Sequence, residues 1–203
     1  MSGHLLPSIA RPSGTSAPRC TEDVLLSLTG RVALVGNATP AREFGALIDA
    51  YDVVIRFNNF RIAGFERITG TRTSYRCTSG WCDVEHRDEH VEFSPFTADV
   101  RESEHLAAFN RTNVRPVLTA RTDIHPLIPD VPNPSTGLSL VQLLGALNIQ
   151  VDVFGFDGFH SAHYWSAEPT FKTSHSRREF AILRSRPNVV VIGVNDTGER
   201  PAA

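Results

Sequence analysis

Lysine is nearly absent from this 203-residue chain: Lys172 is the only one among 20 basic side chains, and the rest are Arg. Methionine occurs once, tryptophan twice and cysteine three times. No apolar run approaches the ~18 residues that a membrane span requires, so no transmembrane segment is expected. Nor is there an excess of charge, since 20 Lys plus Arg face 22 Asp plus Glu for a formal charge of −2. Nucleic acid and anionic membranes both call for a basic excess. Nucleic acid is therefore not an expected partner, and any membrane association is peripheral. The opening MSGHLLPSIARPSGTSAPRC lacks the charged-then-apolar order of a signal peptide. Its Pro, Ser and Gly content predicts a disordered leader over residues 1–20. Cys20, Cys77 and Cys82 are an odd set, and Cys77 and Cys82 have no second ligand pair for a zinc site. Reduced thiols and a cytoplasmic location are the simplest expectation.

What is present is an alternation of apolar runs. Arg31–Val35 reads as a buried strand ending at Gly36-Asn37, and Asp52–Phe57 as a second closed by Asn58-Asn59. Between them Pro40 fits the first turn of a helix reaching about Ala50, with Phe44, Leu47 and Ile48 on one face. Thr71–Thr78 and Arg115–Thr119 are weaker strand candidates, with a helix over Glu102–Asn110 between them. Leu140, Leu143, Leu144 and Leu147 recur at helical spacing over Leu138–Asn148, and Val151–Gly155 and Val189–Ile192 complete the strands. Strands spaced by helices predict an α/β sandwich with a largely parallel central sheet. It is read as one domain over residues 21–196, with a frayed tail over 197–203. Ligands in such folds sit beyond the carboxyl ends of the strands.

Four polar constellations fall at those ends. Gly36-Asn37 offers close backbone approach and an amide that both donates and accepts. It is equally an ordinary turn, and no G-x-G-x-x-G dinucleotide fingerprint is present. Asn58 sits on the neighbouring strand end and could converge with Asn37. Ser135-Thr136-Gly137 opens the apolar helix, where free amides make an anion site or Ser135 or Thr136 simply caps. In His160-Ser-Ala-His163-Tyr164-Trp165, His163 and Tyr164 can donate to a leaving phosphate. Alternatively, His160, His163 and His175 could bind a metal, although their spacing fits no ligand frame. His175 precedes Ser176-Arg-Arg-Glu179, which has the form of a capping box for a helix over Arg177–Arg184. The positive end of that helix disfavours imidazolium and lowers the His175 pKa, as a general base requires. Glu179 is read as a purely structural cap.

In order, these stretches resemble the sialyl motifs of the sialyltransferases, glycosyltransferase family 29. Val32–Thr73, with VALVGNA, IDAYDVVIRFNNF and AGFERITGTRT, is similar to the large motif. Pro134–Gly158, with PSTGLSLVQLLGAL and VDVFGFDG, is similar to the small motif. His163-Tyr164-Trp165 resembles the third motif, and His175 with Glu179 the very small one. The resemblance implies a Rossmann-like sandwich of the modified GT-A type. It also implies inverting, metal-independent and cofactor-free transfer of sialic acid or a related keto-sugar acid. The donor would be a CMP-sugar and the acceptor the hydroxyl of a glycan or glycolipid. By that resemblance Asn37 and Asn58 hold the phosphate and ribose, and Ser135, Thr136 and Gly137 line the cytidine and donor-sugar site. His163 and Tyr164 bind the departing phosphate, and His175 deprotonates the acceptor. The family's secreted members join the large and small motifs by a disulfide, for which Val32 and the region of Gln150 lack the cysteines. Ser166 stands where the third motif continues with an acidic residue, and three residues, not four, separate His175 from Glu179. Two other function classes remain: a CMP- or nucleotide-binding module without turnover, and a metal-dependent hydrolase using the three histidines.

Overall fold

The computed structural model describes residues 21–78, 91–97, 117–119, 131, 134–166 and 176–193. Its strands are β1 (Val32–Val35), β2 (Val53–Phe57), β3 (Tyr75–Cys77), β4 (Val91–Thr97), β5 (Val117–Thr119), β6 (Val151–Phe154) and β7 (Val189–Ile192). Its helices are α1 (Thr21–Leu26), α2 (Gly45–Asp49), α3 (Glu66–Thr69), α4 (Thr136–Ala146) and α5 (Ser176–Arg184). The strands form one sheet in the order β5-β4-β3-β2-β1-β6-β7, and every pairing is parallel.

The strand sequences account for the layers. Successive side chains of a strand point to opposite faces, and a strand covered on both faces reads as continuously apolar. In β1, Val32 and Leu34 join one buried cluster with Val53, Ile55, Val151 and Val153, and with Leu138, Val141 and Leu144 of α4 and Leu183 of α5. Ala33 and Val35 join the opposite cluster with Val54, Phe154, Phe44, Ile48 and Tyr51. Phe44 and Tyr51 both meet the Phe154 ring edge-on at 5.6 Å. Leu140 is fully buried, so truncating it to Ala costs about 2–5 kcal/mol. Val32 lies directly opposite Val151, and both are buried. Apolar packing thus closes the seam next to Gln150.

Several elements differ from the expectation. The helix expected from Pro40 begins only at Gly45, because the Phe44 amide donates to the Ile68 carbonyl at 3.2 Å instead of entering a helical ladder. Phe44 and Ile48 are buried as expected, but Leu47 is 41% exposed and does not share their face. The Thr71–Thr78 strand shortens to β3, since Arg72 and Thr71 give their amides to the Asp49 carboxylate. Strand β4 was not foreseen. It is interrupted by Pro95, which has no N–H for the ladder, and its register with β5 shifts between Ser94 and Thr97. The Glu102–Asn110 helix, the leader and the tail lie outside the described residues. Among the described residues no helix is long and apolar enough to cross a membrane.

Candidate active site

The position of β1 between β2 and β6 brings three polar turns together. The turn after β1 lies between the turn after β2 and the loop after β6, because β2 and β6 flank β1. Backbone bonds then fasten the β6 loop across the β1 end. Gly36 donates to Phe154 at 2.8 Å, Ala38 to Gly155 at 3.0 Å, Thr39 to Ala162 at 3.2 Å and Tyr164 to Asn37 at 3.0 Å. Ala38 and His163 form an isolated antiparallel bridge. Residues more than a hundred positions apart in sequence thereby become neighbours (Thr39 and Ser161 bond at 2.9 Å).

Asn37 and Asn58 do converge. The Asn37 Nδ2 donates to the Phe57 carbonyl at 3.1 Å and the Asn59 carbonyl at 3.0 Å, the two residues on either side of Asn58. Both amide hydrogens are used internally. What Asn37 retains is Oδ1, which is buried without a partner. Asn58 holds a left-handed backbone with φ 50°, which Asn tolerates better than most residues. Its amide donates to the Cys77 carbonyl at 3.0 Å, and its carbonyl accepts from Arg76 Nε at 2.9 Å. The turn is therefore rigid on both sides.

Two buried cations underlie it: Arg56, which opens the polar stretch Arg56–Asn59 that the sequence marks at the end of β2, and Arg76, which the sequence does not mark. Arg76 is 1% exposed and Arg56 fully buried. Arg56 gives Nε to the Arg72 carbonyl and Thr73 hydroxyl, and Nη2 to the carbonyls of Thr69, Gly70 and Arg72. Its Nη1 has no partner. Burial pulls its pKa down to about 10, against smaller raising effects from Tyr164 and Asp49. The readable signal was an Arg inside the run Val53-Val-Ile-Arg-Phe57.

Ser135 caps α4, its side chain accepting from the Leu138 amide at 3.2 Å. Thr136 and Gly137 are buried in the first turn. The close approach expected at Gly36 and Gly137 is real, but its occupant is internal: the Phe156 ring fills the space beside both α-carbons. Glu179 corrects a second expectation. Its carboxyl does not cap its own helix; Oε1 accepts the Ser135 amide at 2.9 Å, while Oε2 is buried without a partner.

The aromatic cluster packs ring against ring, with Tyr164 edge-on to Trp165 and His163 tilted over it. The rings of His163 and Tyr164 lie 4.7 Å and 4.6 Å from that of Trp165. The Tyr164 hydroxyl donates to the Arg61 carbonyl at 2.5 Å and accepts from the Arg61 amide at 3.0 Å. Burial raises the Tyr164 pKa above its usual value, outweighing lowering by Arg61 and by the Arg56 charge. This phenol is thus a neutral tie between the third motif and the segment after β2. Among the described residues no three His, Cys, Asp or Glu side chains are grouped to hold a metal. His175 lies outside the described residues; α5 begins at the next position.

Residues 29–114 match the model of glycosyltransferase family 29 (sialyltransferase). A type 2 lactosamine alpha-2,3-sialyltransferase of Mus musculus is 41% identical over 66 residues, covering 30% of this chain and 20% of that protein. A CMP-N-acetylneuraminate-beta-galactosamide-alpha-2,3-sialyltransferase 4 of Mus musculus is 38% identical over 69 residues, or 33% and 20%. The aligned stretch thus spans a fifth of each relative's length. Among solved structures, a mammalian sialyltransferase in complex with Gal-beta-1-3GalNAc-ortho-nitrophenol aligns with TM-score 0.51 and 21% identity, over 80% of this chain and 69% of that one. A further mammalian sialyltransferase structure aligns with TM-score 0.51 and 22% identity, over 81% and 69%. Residues 29–114 are thus similar to glycosyltransferase family 29 (sialyltransferase), and the Rossmann-like α/β fold is shared with the solved mammalian sialyltransferases.

Proposed function

We propose that this protein is an inverting, metal-independent sialyltransferase. It moves sialic acid or a related keto-sugar acid from a CMP donor to the hydroxyl of a glycan or glycolipid acceptor. The observation that carries the reading is the bridge between Ala38 and His163, which unites the turn bearing Asn37 with the loop bearing His163. The Ser135–Gly137 turn, next to Phe156, completes the surround. In this reading the Asn37 Oδ1 is the acceptor available to the nucleotide, and Asn58 and the first turn of α4 flank it. His163 donates to the departing phosphate. Tyr164, whose proton is committed to Arg61, serves by fixing the loop. His175, just before the positive end of α5, takes the proton of the acceptor hydroxyl as the sugar passes through an oxocarbenium-like state. The missing cysteine at Val32 supports work in a reducing compartment, the cytoplasm.

The test is calorimetric binding of CMP against UMP, GMP and AMP, followed by product analysis with CMP-sialic acid. CMP is expected to bind best, and transfer is expected to be indifferent to EDTA. His175→Ala is expected to abolish transfer while largely retaining CMP binding; transfer at the wild-type rate would remove the assigned base. CMP binding with neither transfer nor donor hydrolysis would mark a binding module.

A further inference from the structure

Glu179 is 4% exposed and sits in the first turn of α5. One carboxyl oxygen takes the Ser135 amide at 2.9 Å, and the other is buried and unpartnered. Ser135 passes the contact on, since its hydroxyl accepts the Leu138 amide of α4. A continuous chain of bonds therefore runs from α5 through Glu179 and Ser135 into the first turn of α4. Packing alone does not ask for this group: Leu183, one turn further along α5, fills its place in the core with an apolar side chain. A buried carboxyl with a vacant oxygen is unfavourable unless its other oxygen does something an apolar residue cannot.

We infer that Glu179 is a positioning residue, holding the Ser135–Gly137 turn at a set distance from the start of α5. The inference rests on the proposed donor reading, in which that turn lines the donor and His175 immediately precedes α5. The turn before α4 and the first turn of α5 are then tied by a single hydrogen bond between residues 44 positions apart.

Two variants of the full chain separate reach from chemical identity. Glu179→Gln keeps an acceptor oxygen at the same reach; Glu179→Asp keeps the carboxyl group but withdraws it by one methylene. Hydrogen exchange of residues 135–138 reads the link itself, without any ligand. Exchange there is expected to accelerate in the Asp variant and to stay near wild type in the Gln variant. With CMP and CMP-sialic acid, the Asp variant is expected to lose about tenfold or more in CMP affinity and donor KM, and to lose kcat further. The Gln variant is expected to stay within about threefold. Wild-type exchange and kinetics in the Asp variant would overturn the inference, as would a Gln variant as impaired as Asp. If wild-type protein does not bind CMP, the donor reading fails by itself, and the exchange data alone decide whether Glu179 fixes the turn.

Discussion

A Cβ placed on Gly137 would stand 2.3 Å from Cε1 of Phe156, and one on Gly36 would stand 2.6 Å from Cδ2 of the same ring. Phe156 also meets Phe57 edge-on at 5.3 Å. One aromatic ring therefore locks the turn after β1, the start of α4 and the end of β2 together.

Gly137→Ala is accordingly expected to lower stability, although Ala is the better helix former by about 1 kcal/mol. Overpacking against a fixed ring costs about 1–3 kcal/mol and decides the sign. Urea denaturation should show a lower midpoint. In a Phe156→Leu background the same substitution should cost less, with a coupling of about 1 kcal/mol or more between the two sites. Independent additive effects would show that the ring is not the obstacle.

Asn37→Ala leaves the Phe57 and Asn59 carbonyls without their shared donor, which costs about 1–3 kcal/mol. Asn37→Asp turns a donor into an oxygen facing those two carbonyls and is expected to cost more. Thermal unfolding should rank the proteins wild type, Ala, Asp. Calorimetry with CMP should show weaker binding in both variants.

Alkaline titration provides a third check. Burial, with the Asp152 carboxylate accepting its proton, raises the Tyr51 pKa, and burial raises that of Tyr164. A phenol held neutral by the fold stabilises fully below its unfolded pKa of about 10, and that contribution is lost as pH rises from there through the folded value. Arg56 acts oppositely: its folded pKa of about 10 lies below the ordinary 12.5, so its burial penalty is relieved over the same range. Absorbance at 295 nm should show late tyrosine ionisation, and Tyr51→Phe and Tyr164→Phe should each remove one late step. Loss of an ordinary step near pH 10 in either variant would contradict this environment.

The sequence was most legible where physics is local. Val32–Val35, Val53–Phe57 and Val151–Phe154 read as buried strands because both faces are covered, so their apolar runs are continuous. A cap at Ser135 or Thr136 was readable, and Ser135 fills it, because the partner is only three residues away. Reading failed where a distant group takes the bond. Pro40 promised a helix that the Ile68 carbonyl denies to Phe44. Glu179 looked like its own helix's cap, yet its partner lies on the far side of β6 in sequence. Gly36 and Gly137 suggested room for a ligand, and nothing in their spacing announced Phe156. Asn37 and Asn58 were paired correctly as turn residues, but that Asn37 grips the backbone beside Asn58 required coordinates.

The sheet order has a consequence for how the molecule is assembled at synthesis. β1 needs β2 on one side and β6 on the other, so Val32 meets Val53 early but Val151 only after most of the polypeptide has been made. Closing that distant pairing is an entropic cost met before any contact rewards it. A nascent or truncated chain ending near residue 114 would carry the whole family-matched segment and still present the open ladder edge of β1 to other molecules. Such fragments should self-associate rather than accumulate as small stable units.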